Sequence, residues 1–170
     1  MHRRHRRKTC NVQNSLYTRI KDLLGQSPAS LAFWTFRQGL NEDPQQITTG
    51  EVIQYAFPST GFILSTMNGA IFSAIIHIRS ADTDSGYFRA FSAELPYGLS
   101  VQDDRQMVER KLRRKPLESG EFPTNVGDRP NFSDTYIFID LRVTFVFDRI
   151  DGTLALIGIM SDSTPFFFRR

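Results

Sequence analysis

ELPYGLSVQDDRQMVERKLRRKP, residues 94–116, is the stretch that divides the chain. Leu95-Pro96-Tyr97-Gly98 reads as a sharp turn, because proline presets φ and glycine accepts left-handed backbone. Asp103 is the expected N-cap of one short helix, with Gln106 at its third helical position. Met107, Val108 and Leu112 recur at helical spacing as a narrow apolar stripe, and Pro116 is the stop. Asp103 and Asp104 complement the positive end of that helix; Arg113, Arg114 and Lys115 complement the negative end. The basic run therefore reads first as a complemented helix C-terminus and only second as an anion site.

Outward from this stretch, the same helix-then-hairpins order is found nearer the start. Leu16, Ile20, Leu23 and Leu24 predict a helix capped by Asn14 or Ser15 and ended by Gly25 and Pro28. A second helical piece over residues 30–41 puts Phe33, Phe36 and Leu40 on one side, with Trp34 at the stripe's edge and Pro44 closing it. Strands are expected over residues 51–57, 62–67 and 70–78, the last two joined by Asn68-Gly69, a strong hairpin signal. Residues 79–86 read as loop and 87–93 as an edge strand. After the dividing stretch, residues 117–133 read as loop. Strands follow over 134–141, 142–148 and 153–160, the last pair joined around Asp151-Gly152. The ending, TPFFFRR, is expected to dock as a last edge segment.

KDLLGQSP at 21–28 aligns with ERKLRRKP at 109–116, placing Leu24 on Leu112 and Pro28 on Pro116. The expected fold class is α+β: two tandem helix–β-hairpin repeats forming one antiparallel sheet, with helices packed on one face. Repeat one covers about residues 14–93 and repeat two about 94–170, following a basic disordered tail at 1–13.

Composition is that of an ordinary globular chain, 40% hydrophobic and 23% charged. Fifteen Phe among 170 residues, mostly in alternating runs, favour a β-rich core. The formal charge is +3, but Arg3, Arg4, Arg6, Arg7 and Lys8 supply five positive charges; subtracting them leaves about −2 for the rest. That argues against a body built to follow a nucleic-acid backbone and leaves only the tail for such contact. The single cysteine, Cys10, excludes an internal disulfide and fits a reducing compartment, so a cytoplasmic location is expected. No apolar run is long enough to span a membrane, and none is expected as a partner.

His77 is the one histidine outside the tail, which rules out a Cys–His pair, a three-histidine zinc site and an HExxH motif in the body. Ser73 and His77 share a strand face but lie too far apart for a nucleophile–base pair at about 3.3 Å per residue. Asp140, Asp148 and Asp151 supply carboxylates around the second hairpin, and a glycosidase needs two. Turn chemistry accounts for Asp148 and Asp151; Asp140 interrupts the alternation of YIFIDLRV. No catalytic residue, metal or cofactor is assigned.

Alternation separates two faces. Ile53, Tyr55, Phe57, Phe62, Leu64, Phe72, Ala74 and Ile76 are expected on the helix side in the first half, and Ile137, Ile139, Leu141, Val143, Phe145 and Phe147 in the second. The open face then carries Gln54, Ser65, Ser73, His77, Tyr136, Phe138, Asp140, Arg142 and Thr144. Polar groups mixed with Tyr, Phe and Arg make up protein-binding surfaces; an ordinary solvent-facing sheet is the other reading.

With the DLLGQSP and LPYGL…VERKLRRKP segments in view, the chain resembles bacterial β-lactamase-inhibitor-like and SmpA/OmlA-like helix–strand repeats, whose helices often end in L-G-x-P. KLRRKP lacks that glycine. Small proteins of this kind recur as immunity proteins to bacteriocins and polymorphic toxins. The resemblance implies a stoichiometric inhibitor that occludes a cognate toxin, with a protein partner and no turnover. The rival readings are an assembly or scaffold module of the same fold, a nucleic-acid-associated protein acting through its tail, and an enzyme on the acidic hairpin.

Overall fold

The computed structural model describes residues 15–83, 86–122 and 131–162. The tail at 1–13 and the TPFFFRR ending lie outside them. Two short helices come first, α1 (Leu16–Lys21) and α2 (Leu31–Leu40). Each begins on a serine cap: Ser15 accepts from the Thr18 amide and Ser30 from the Phe33 amide. Four strands follow as a meander, β1 (Gln45–Thr49), β2 (Val52–Phe57), β3 (Phe62–Met67) and β4 (Ala70–His77). A small hairpin, β5 (Ala81–Thr83) and β6 (Gly86–Phe88), precedes a 3-10 turn at Pro96–Gly98 and helix α3 (Arg105–Leu112). A second meander closes the chain, β7 (Glu118–Phe122), β8 (Asn131–Phe138), β9 (Leu141–Phe147) and β10 (Leu154–Ser161).

The eight long strands form a single sheet in the order β1-β2-β3-β4-β10-β9-β8-β7, antiparallel throughout. This overturns the expected pair of tandem helix–β-hairpin repeats. The sheet dominates, and helices of 6, 10 and 8 residues are appendages to it. The units are four-stranded meanders, because the polar segments QQITT and ESGEF pair as the outermost strands β1 and β7. The expected edge strand over residues 87–93 is absent as well: β6 pairs with β5 and stays outside the main sheet.

One continuous core joins the helices to one sheet face. Tyr17, Ile20, Phe33, Phe36, Val108 and Leu112 meet Phe57, Phe62, Leu64, Ala74, Ile76, Tyr136, Val143, Phe145 and Ile157. Phe57 stacks on Phe62 at 4.5 Å between ring centroids, and Phe36 meets Phe62 edge-on at 5.9 Å. Two buried carboxylates fasten α3 to this body. Asp134 accepts from Arg105 Nε at 2.8 Å and Nη2 at 2.5 Å, and from Ser119 Oγ at 2.6 Å. Asp103 takes Lys111 Nζ at 2.7 Å, while its carbonyl receives the Leu154 amide of β10. The N-cap is Asp104, whose side chain accepts from the Met107 amide, and not the expected Asp103.

Two register events reorient the expected faces. Between β3 and β4, Thr66 pairs with Ile71 and Ser65 with Ser73, so Phe72 is the extra residue of a bulge. Ile71 takes the core position expected of Phe72, and its amide and carbonyl bond the loop after α1 at Gln26 and Gly25. Between β8 and β9 the turn is Ile139-Asp140, with Phe138 opposite Leu141 and Tyr136 opposite Val143. Tyr136 and Phe138 therefore lie on the core face, while Ile137 pairs with Arg142 on the other. Ile139 is fully out in solvent at 95% exposure.

Candidate functional site

The second sheet face is the expected binding surface, and six of its nine expected residues do lie there. Gln54 pairs with Ser65, Ser65 with Ser73, and His77, Arg142 and Thr144 follow on the same side. Tyr136 and Phe138 are on the opposite face and Asp140 sits in the turn, as the register requires. Of the six, Ser65, Ser73 and His77 are buried. The β5–β6 hairpin covers His77: Phe88, wholly buried, packs with Ala56 and Ile63 and stacks on His77 at 4.6 Å. Thr144 is occupied with Thr135 at 2.9 Å.

Beneath Phe88, His77 has an Nε2 atom with no hydrogen-bond partner. Burial alone lowers its pKa from 6.5 to about 4. A histidine kept neutral in the fold but free to protonate when unfolded binds more protons in the unfolded state between these two values. Stability is therefore full above pH 6.5, falls as the pH drops towards 4, and levels below it, a loss of about 3 kcal/mol. Denaturant unfolding at pH 7 and 4.5 measures most of it: the wild type should lose more than His77→Gln by about 2 kcal/mol.

The carboxylates of the second hairpin serve the turn. Asp148 accepts the Ile150 amide at 2.7 Å, and Asp151 accepts the Thr153 amide at 3.0 Å while receiving Arg79 Nη2 at 2.7 Å. The Thr153 amide, then the Arg79 guanidinium, hold the Asp151 carboxyl below its ordinary value.

A different constellation stands out at the α3 end of the core face. Among the described residues five that are not glycine have positive φ: Asn41, Asn68, Tyr97, Arg113 and Ile139. Asparagine tolerates that region, and Asn68 is the hairpin turn that the sequence announces. Of the other three, Tyr97 touches the Phe138 ring, Ile139 follows it in the chain, and Arg113 precedes the arginine that lies over it. Tyr97 (φ 59) stacks on it at 5.0 Å and 15° between planes. Ile139 (φ 36) follows it directly in the turn. Arg113, the left-handed C-cap of α3, turns the chain so that Arg114 comes back over β8. There Arg114 Nη1 donates to the Ile137 carbonyl at 2.8 Å, and its guanidinium carbon lies 4.6 Å from the Phe138 centroid. Left-handed backbone costs about 1–2 kcal/mol per non-glycine residue. An aromatic stack returns about 1 kcal/mol and an exposed cation–π contact less. Over Tyr97, Arg113 and Ile139 the strain is about 3–6 kcal/mol, which these two contacts do not offset, and strain of this kind gathers at functional sites.

Behind the stack are two buried phenols. The Tyr17 hydroxyl meets that of Tyr97 without a well-aligned hydrogen bond, and the Tyr136 hydroxyl has none. Burial raises both, Tyr136 to about 12, so both are neutral. Tyr97 is also raised by burial, against the opposing influence of Tyr17 and Arg114. None of these groups is poised to move a proton near neutral pH. The chemistry on offer is contact: a half-exposed Tyr97, a guanidinium, and the solvent-facing Ile139.

No family model matches the chain, and no curated protein matches it. Among solved structures it is similar to a cysteine-rich secretory protein of Staphylococcus aureus subsp. aureus Mu50, with a TM-score of 0.51 at 9% identity, over 84% of this chain and 46% of that one. It is also similar to an extracellular protein containing a SCP domain from Bacillus anthracis strain Ames, with a TM-score of 0.55 at 8% identity, over 84% and 45%. The chain spans less than half the length of either neighbour. The likeness is one of fold.

Proposed function

We propose that this protein is a non-catalytic binding module whose contact surface is the Tyr97–Phe138–Arg114 stack with Ile139 at its rim. The observation that carries the reading is that Phe138 holds the left-handed Tyr97 and the Arg114 guanidinium against its ring, with left-handed residues at Ile139 beside it and at Arg113 before Arg114. Tyr and Arg are enriched among the residues that dominate binding energy, and a held stack presents them at low entropic cost. The opposite sheet face, where Phe88 covers His77, is left with Gln54, Arg142 and Thr144 of the six.

The resemblance drawn from the sequence makes the partner a cognate toxin, inhibited by occlusion, and the scaffold reading makes it a structural component. A tight one-to-one complex with the product of an adjacent gene supports the toxin; its absence for every adjacent gene supports the scaffold. We place the protein in the cytoplasm on its single cysteine. The two structural neighbours, described as secretory and extracellular, favour export instead, and fractionation of host cells decides.

The surface is tested by co-purification from the native host. Phe138→Ala and Arg114→Glu should each weaken recovery of the wild-type partner by about tenfold or more, equivalent to roughly 1.4 kcal/mol. Equal recovery with correctly folded variants contradicts the site.

A further inference from the structure

On the α3 side of the stack the charge is one-sided, while the turn on the other side carries Asp140. Arg110, Lys111, Arg113, Arg114 and Lys115 fall within one turn of the α3 C-terminus. Lys111 is neutralised by Asp103 and Lys115 by Glu109. Among the described residues no carboxylate pairs with the other three. Arg110 contacts the Met107 sulfur and the Gln106 carbonyl, and Arg114 the Ile137 carbonyl. The chain beyond its first ten residues is near −2 overall, so this is a local excess against the trend of the body. It exceeds what complementing a helix dipole requires, since that effect acts within the last turn and saturates at about half a charge.

Resting on the binding reading above, we infer that this surface takes an acidic polypeptide segment carrying an apolar anchor side chain. The anchor would lie on Tyr97 and Ile139, which are 44% and 95% exposed. Flanking carboxylates would meet Arg110, Arg113 and Arg114, where charge-assisted hydrogen bonds are about twice as strong as neutral ones. A nucleic acid fits less well: base stacking needs a free ring face, and Phe138 already carries Tyr97 and Arg114.

Fluorescence anisotropy with three labelled probes tests this: a short Asp/Glu-rich peptide with one central Trp, the same peptide with Lys for every acid, and a short single-stranded DNA. The acidic peptide should bind about tenfold or more tighter than the Lys peptide and the DNA, and Arg110→Glu with Arg113→Glu should remove that margin. The Arg110→Lys, Arg113→Lys protein should retain it, which separates lost charge from lost fold. Equal binding of both peptides, each weakened by Phe138→Ala, overturns the acidic preference and leaves the binding surface standing. Peptide binding indifferent to Phe138→Ala, or no peptide binding at all, overturns both. Tighter binding of the DNA overturns the choice of a polypeptide.

Discussion

Phe62→Ala should lower the unfolding free energy by about 4 kcal/mol, a large share of the 5–15 kcal/mol typical of a domain. The ring is wholly buried at the start of β3, where Phe57 stacks on it and Phe36 of α2 meets it edge-on. Truncation leaves a cavity that neither neighbour can fill, because Phe57 is held by its own strand and Phe36 by its helix. Helix α2 and the first meander should loosen together. Urea unfolding should show a shifted midpoint with an unchanged slope. Ile150→Ala, at a site 97% exposed, should change stability by less than about 0.5 kcal/mol.

Gly61→Ala should cost about 3 kcal/mol or more, for two reasons that add. The residue sits at φ +88, where a Cβ is strained by about 1–2 kcal/mol. A methyl group there would also run into the Arg89 carbonyl and come within 2.9 Å of the Phe91 amide nitrogen. Those atoms belong to backbone already committed: Arg89 donates to the Pro58 carbonyl, Phe91 to the His77 carbonyl, and His77 in turn to Gly61. The clash would be relieved by lifting the segment after β6, and Phe88 with it. Thermal unfolding should drop accordingly, and amide exchange at Phe91 should quicken more than at Ile157 in the central strands. A variant with wild-type stability and exchange would show that the segment is not docked at Gly61.

How much of this could be read from residues alone depends on whether each turn carries turn chemistry. Asn68-Gly69 does, and β3 and the start of β4 are where that pair puts them. Ile139-Asp140 does not. A β-branched residue in left-handed backbone is nearly the last choice for a tight turn, so the alternating run YIFIDLRV gives no sign of where it folds over. The turn comes before the expected boundary between 141 and 142, and its register sets Phe138 opposite Leu141 and Tyr136 opposite Val143, which puts Tyr136 and Phe138 on the core side. Strands β1 and β7 were hidden for a different reason. As outermost strands they bury almost nothing and so carry no apolar alternation. The cover that Phe88 of β6 places over His77 is a tertiary event with no local signature.

The candidate site was half legible. Phe138 was named, for the wrong face. Tyr97 was seen only as part of a turn, and Arg114 only as one cation at a helix end. What joins them is the left-handed Arg113 and the Ile139 turn, and backbone strain has no sequence code except through Gly and Asn. The signal available was a negative one: tyrosine in the third place of LPYGL, and isoleucine at a hairpin tip, are residues that those local structures do not prefer.

Site-specific photocrosslinking tests the binding account most directly, because two hairpin tips supply a matched pair. Ile139 and Ile150 are both isoleucines, 95% and 97% exposed, at opposite ends of β9. A benzoylphenylalanine introduced at each in turn, and irradiated in the native host, should give a discrete covalent adduct from position 139 and none from 150. Adducts of equal yield from both positions, or from 150 alone, would contradict the assignment of the contact surface to the Phe138 stack.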